Sequence, residues 1–221
     1  MKKRVIRTIT LVLFIILMFS LSSCKSDADF SRPHMSTAKE SPSLTRIIDP
    51  DSEVRGVWIA SVWNIDFPSR TDLTADEMKS EIDDIISTCK ASGLNTVYFQ
   101  VRPSCDALYD SDIFPVSSYL SSDGELYFDP LGYFTRAAHE NNIFLYAWVN
   151  PLRVTADGRG LDALADSSPA KQNPDWVVEY DGKLYLDPGI PEVRSLVADG
   201  VRGSALHLSQ ANGSGSFIRI P

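Results

Sequence analysis

Residues 94–109 (LNTVYFQVRPSCDALY) limit the possible folds more than any other part of this sequence. The first half has the pattern of a buried strand: Val97, Phe99 and Val101 are apolar, and Tyr98 suits a sheet. The second half turns polar, setting Gln100, Arg102, Ser104 and Asp106 at or just past the strand's C-terminal end. In parallel α/β proteins ligands bind at that end, because the loops leaving the strands form the rim of the site. The Arg-Pro-Ser-Cys-Asp loop therefore predicts a site for a polar ligand. The alternative is that Arg102 and Asp106 simply pair with each other across the loop.

The same change from apolar to polar occurs twice more. Residues 55–62 (RGVWIASV) read as a strand followed by Trp63, Asn64 and Asp66, and residues 143–149 (IFLYAWV) as one followed by Asn150, Pro151 and Arg153. Two helices separate the three strands. Thr74-Ala75-Asp76-Glu77 is a capping box, in which hydroxyl and carboxylate satisfy free amides of a first turn. Behind it Met78, Ile82, Ile85, Ile86 and Cys89 recur at helical spacing, and Gly93 closes the helix. Asp129 and Pro130 start the second helix as N-cap and first helical residue, with Leu131, Phe134, Ala137 and Ala138 on its buried face. Strands and helices alternating in this way predict an α/β fold, the N-terminal part of a (β/α)8 TIM-type barrel of about three βα units. Asp181-Gly182 predicts a hairpin between residues 176–179 and 183–186, and a third helix runs from 191 to about 202. Residues 203–221 (GSALHLSQANGSGSFIRIP) hold no strand-like run of adequate length, although a fourth strand is due there.

Ahead of this unit the chain has a different character. Lys2, Lys3, Arg4 and Arg7 precede an almost unbroken apolar run over residues 9–19, and Leu21-Ser22-Ser23-Cys24 follows. This is the pattern of a secretory signal peptide. Its ending resembles the bacterial lipobox, which implies cleavage before Cys24, lipidation of that cysteine and a membrane anchor on the extracytoplasmic side. An uncleaved N-terminal anchor is the alternative. Residues 24–52, rich in Ser, Asp, Pro and Lys, read as a flexible tether. Removing residues 1–23 takes away four basic side chains and no acidic one, leaving 17 Lys and Arg against 29 Asp and Glu, a net charge of −12. Such a charge argues against nucleic acid and anionic lipid as main partners and is compatible with a neutral polysaccharide, or simply with a soluble surface. Cys89 and Cys105 fall at opposite ends of the sheet in a βαβ unit, too far apart for a disulfide, and are expected as free thiols. His34, His139 and His207 are the only histidines, with no ligand spacing among them, so neither a metal nor another cofactor is expected.

Four segments (RGVWIASVWNIDFPS, NTVYFQVRPSCDALY, DPLGYFTRAAHENNIFLYAWVNPLR and LYLDPGIPEVR) together resemble the bacterial glycosyl hydrolase-like family 10 lipoproteins, in order from about residue 55 to 202. The resemblance implies a (β/α)8 barrel of the cell envelope and a glycosidase ancestry, with peptidoglycan glycan strands stripped of their stem peptides as a substrate of some members. It also implies a strand after the third helix carrying Asp-Gly-Ile and paired aspartates, which residues 203–221 do not match. A complete barrel needs about 250 residues, and residues 53–221 number 169. The expectation is therefore a partial barrel over 53–202 with a non-matching tail, truncated or frameshifted near Arg202. Such a chain would lack its catalytic carboxylates and have little activity. A non-catalytic glycan-binding or scaffold lipoprotein is the competing reading.

Eight residues are candidates for substrate contact. Arg102 offers a rigid fork of donors to sugar hydroxyls or an acidic lactyl group, and Asp106 an acceptor. Asn150 and Arg153 hold the matching positions after the third strand, and Trp63 is a stacking platform after the first. Gln100 is either a contact or a packed polar residue. Asp66 and Asp187 are either contacts or turn residues, and Trp148, inside a strand, is either core, the preferred reading, or a sugar-stacking platform.

Overall fold

A computed structural model describes residues 53–212 and the backbone of residues 217–219. The signal peptide, Cys24 and most of the tether lie outside the described residues. Four parallel strands form one sheet in the order β1 (Gly56–Ile59), β2 (Thr96–Arg102), β3 (Phe144–Val149) and β6 (Phe217–Arg219). Helix α1 (Ala75–Ala91) connects β1 to β2, and α2 (Pro130–Glu140) connects β2 to β3. After β3 an antiparallel hairpin of β4 (Val177–Tyr180) and β5 (Lys183–Leu186) precedes α3 (Pro191–Asn212). Parallel strands placed side by side in chain order, each followed by a helix, are the arrangement of the N-terminal part of a (β/α)8 barrel.

Local chemistry sets the element ends. Thr74 accepts from the Glu77 amide at 3.3 Å, and the Glu77 carboxylate accepts from the Thr74 amide at 2.8 Å. At the other end of α1, Leu94 N donates to Cys89 O and Gly93 N to Lys90 O, a Schellman closure with Gly93 at φ +70°. Helix α2 repeats the device with Asn142 (φ +58°) in the glycine's place, and Asp129 caps its start by accepting from Gly132 N at 2.9 Å. Asp181 and Gly182, both at positive φ, make the two-residue turn of the hairpin.

Strand β2 is buried along its whole length, flanked by β1 and β3, with the helices on one face and its neighbours' aromatic rings on the other. Val97, Phe99 and Val101 meet the helices, with Phe99 stacked on Phe134 of α2 at 4.8 Å and Ile82 of α1 fully buried in the same core. The other face carries an aromatic row fixed by register. Trp58 lies opposite Tyr98, and Tyr98 opposite Tyr146, with ring centroids 4.7 and 5.1 Å apart. Trp148 is half-buried on that same face, edge-on to Trp58. Cys89 and Cys105 are both free and buried, as the spacing predicts.

Three expectations need correction. Strand β1 ends at Ile59 rather than 62, because the Asp66 carboxylate takes the Ala60 amide at 2.7 Å and turns the chain. Helix α3 does not stop near Arg202 but continues to Asn212. Gly203 interrupts nothing there: Ser204 Oγ bonds Gly200 O and the Tyr109 hydroxyl, Leu208 is buried, and His207 docks on Asp129 at 3.0 Å. Tertiary contacts outweigh the weak helix propensity of a glycine and two serines. Residues 217–219 then pair with Tyr146–Trp148 as a short parallel strand, where the sequence gives too brief an apolar run to signal one.

Candidate functional site

The loops that leave β1, β2 and β3 gather at the strands' C-terminal ends, held to one another by the polar residues that mark those ends. Gln100 Oε1 accepts from the Ser61 and Val62 amides at 3.0 Å each, and Ser61 Oγ donates to Gln100 O at 2.8 Å. Asn150 N donates to Arg102 O, its Nδ2 donates to Pro103 O at 3.1 Å, and its Oδ1 accepts from Trp148 Nε1 at 3.0 Å. Gln100 and Asn150 are thus buried clamps between neighbouring strand ends.

Arg102 is turned away from the rim. The ladder shifts register between Gln100 and Arg102, a bulge that sets Arg102 opposite Val149. Such an irregularity re-aims a side chain, and here it sends the guanidinium to the helix side. Its carbon lies 3.5 Å from the Phe114 ring centroid, and the residue is 1% exposed. No ion pair with Asp106 forms, so the pairing considered from the sequence is not what holds either residue. Burial lowers the Arg102 pKa, which Tyr109, Cys105 and Asp106 partly offset. Nε and Nη1 have no hydrogen bond among the described residues, and the ring of Phe114 supplies the compensation.

Asp106 stays at the rim. Its Oδ1 accepts from Ser104 N at 2.9 Å and its Oδ2 from Ser117 Oγ at 2.6 Å. Burial raises its pKa above the usual carboxylate value, against the lowering effect of those two bonds and of Arg102 and Arg159. It lines a cavity of about 310 Å³ between the loop after β2 and the loop after β3, together with Tyr119, Thr155, Arg159 and Ser168. A second depression of about 430 Å³ lies beside it, between Asp72–Met78 and Leu120–Phe128, and shares Ser121, Ser122 and Asp123 with it. Asp123 is held near 2 by the Ser121 hydroxyl, the Glu125 amide and the Tyr127 hydroxyl. Arg159 Nε pairs with Asp157 at 2.7 Å.

Of the eight residues singled out from the sequence, Asp106 alone lines this cavity. Trp63 is 58% exposed on the preceding loop, with φ +56°, and Asn64 follows at φ +52°. Two successive non-glycine residues in the left-handed region store strain of the kind that collects at functional sites. Asp66 and Asp187 both serve turns, Asp187 Oδ1 accepting from Gly189 N at 2.7 Å. Arg153 is half-buried and bridges to Tyr185 through its backbone. Sequence reasoning missed Tyr119, Thr155, Arg159 and Ser168. Their only signal was position, in the loops after β2 and β3, where hydroxyl residues ordinarily read as solvated. No His, Cys, Asp or Glu cluster among the described residues is arranged to hold a metal ion.

A four-stranded parallel α/β arc with its cavity at the strands' C-terminal ends defines the class: one part of a barrel whose site is built by the βα loops. The sequence profile of the family described as "Glycosyl hydrolase-like 10" matches residues 53–207, and the chain belongs to that family. The match runs past Arg202 and along α3 to His207. The chain is 38% identical to the glycosyl hydrolase YngK of Bacillus subtilis over 159 residues, which cover 71% of this chain and 31% of that one. It is 31% identical to the glycosyl hydrolase DigH of Escherichia coli K12 over 194 residues, 80% of this chain and 44% of that one. It therefore spans less than half the length of either relative. Among solved structures, an α-amylase of Geobacillus thermoleovorans aligns with 76% of this chain and 41% of its own at 13% identity and a TM-score of 0.43, which adds nothing to the assignment.

Proposed function

We propose that this protein engages the glycan strands of peptidoglycan in the cell envelope, as a glycoside hydrolase-like protein tethered to a membrane through a lipid on Cys24. The observation that carries the reading is the cavity beside Asp106, at the end of the sheet where barrel enzymes bind their substrates. Family membership supports a glycan as ligand, and the apolar run before Cys24 supports the envelope. Glycoside hydrolysis ordinarily takes two carboxyl groups about 5 to 10 Å apart, one of them protonated. Burial raises the pKa of Asp106, the direction a proton donor needs, but both its oxygens already accept hydrogen bonds, from Ser104 N and Ser117 Oγ. Asp123, the other carboxylate at the cavity, is held ionised by three internal hydrogen bonds and is poorly placed to act as a free base or nucleophile. The 221-residue chain is accordingly expected to bind glycan strands better than it cleaves them.

The test is to incubate the chain with peptidoglycan strands stripped of stem peptides, measuring both sedimentation with the polymer and release of new reducing ends. Binding with slow release supports a hydrolase-like role. Binding with no release at all favours a glycan-binding scaffold, and absence of both overturns the proposal. Labelling with a radioactive fatty acid, present in the native chain and lost in Cys24→Ala, tests the anchor.

A further inference from the structure

The cavity beside Asp106 holds a set of side chains that its own structure leaves unused. Thr155 and Ser168 are 2% and 1% exposed; among the described residues Thr155 Oγ1 makes no hydrogen bond, and Ser168 Oγ has only the weakly bonding Cys105 thiol beside it. The Tyr119 hydroxyl, in a residue 8% exposed, has the Trp63 backbone near it but no well-formed hydrogen bond among the described residues. All three line the same cavity. A buried hydroxyl without a good partner has given up its water bonds with little return, and native proteins rarely leave one so.

The charged groups around the cavity are already engaged. Asp106 and Asp123 accept internal hydrogen bonds on both oxygens, and Arg159 is paired with Asp157. The unengaged polar groups are neutral hydroxyls, each able to donate and to accept. Val116, Val154 and Leu164 make up an apolar part of the lining. Water can serve the hydroxyls but gains nothing from that wall. A ligand that matches both is uncharged, rich in hydroxyl or amide groups and apolar on one face, which describes a neutral pyranose unit. The volume, about 310 Å³, is at the small end for ligand pockets and suits one such unit rather than several.

We propose that Thr155 and Ser168, with Tyr119, form a subsite that recognises a single neutral sugar residue through its hydroxyl or acetamido groups. The assignment rests on the glycan reading for the class of ligand, while the residues and the neutrality of the bound unit are its own content. The experiment titrates the full chain with the N-acetylglucosamine trimer, with a galacturonic acid trimer as the charged comparison, for the native protein and for Thr155→Val, Ser168→Ala and Thr155→Ser. The neutral trimer is expected to bind in preference to the acidic one. Thr155→Val and Ser168→Ala should each weaken it by roughly tenfold, and Thr155→Ser, which keeps the hydroxyl, by much less. Thermal midpoints should stay level or rise in Thr155→Val, since the replacement is isosteric and removes an unpaired buried hydroxyl. If stripped glycan strands bind and both hydroxyl-deleting variants retain native affinity for the trimer, water alone serves these groups and the subsite is refuted while the glycan reading stands. If neither trimer nor strands bind the native chain, both fall together.

Discussion

The helix-covered face of this sheet and the loop rim are built to different standards. On the helix face polar groups are closed off, Arg102 Nε and Nη1 excepted: Thr74 and Glu77 cap α1, Asp129 caps α2, and both helices end in Schellman turns. Phe99, Phe134 and Ile82 interlock there with no exposure. At the rim, Trp63 and Asn64 sit at positive φ, Thr155 and Ser168 are buried without good partners, and Asp106 is pushed toward its neutral form. Stability is concentrated in the first region, and unspent bonding capacity in the second. Barrels separate the two because the loops can vary without disturbing the strands that carry them.

The comparison breaks if the helix side proves tolerant to substitution. Phe134→Ala removes a fully buried ring stacked on Phe99, and a loss of about 3–5 kcal/mol in a denaturant melt is expected. A smaller effect sharpens it at α3. A methyl group on Gly200 would collide with the Arg102 guanidinium and approach Phe114 Cε2 at 2.7 Å. Gly200→Ala should therefore cost about 1–3 kcal/mol by overpacking, although alanine favours a helix. Unchanged stability would show that α3 is not seated against Arg102.

The smallest expected effect separates two carboxyl groups. Asp106 has its folded pKa raised by burial, so the folded state binds its proton more tightly than the unfolded chain does. Its contribution is fully present below the ordinary aspartate value of 3.8 and is lost as pH rises through the folded value. Asp129 runs the other way: burial alone would raise it, but His207 and the Gly132 amide together hold it below the ordinary value. Its contribution is present above 3.8 and lost as pH falls through the folded value. Melting midpoints measured from pH 3 upward should lose their decline above pH 4 in Asp106→Asn and keep the acid-side decline. Asp129→Asn should do the reverse.

Much of the scaffold was legible in the sequence, because local rules decide it. The capping box, Asp129 before Pro130, Gly93 and the Asp181-Gly182 turn all act within a few residues of themselves. The rim was legible only as a location. Polarity at a strand end says that a side chain leaves the apolar core, not what it meets. Gln100, Asn150 and Asp66 meet backbone amides or carbonyls, and a one-residue bulge turns Arg102 to the opposite face. Thr155 and Ser168 gave no sign, because a hydroxyl becomes an unpaired group only when distant loops close over it. The continuation of α3 was hidden for a similar reason: Ser204 and His207 owe their helical setting to Tyr109 and Asp129, some eighty to one hundred positions earlier.

The most direct test of the division between scaffold and rim is an amide NMR titration of the full chain with stripped glycan strands or their soluble fragments. Binding at the strands' C-terminal ends predicts shifts confined to residues 61–68, 104–124 and 154–168, with α1 and the outer face of α2 unmoved. Shifts centred on the helices, with those three loops silent, would contradict it.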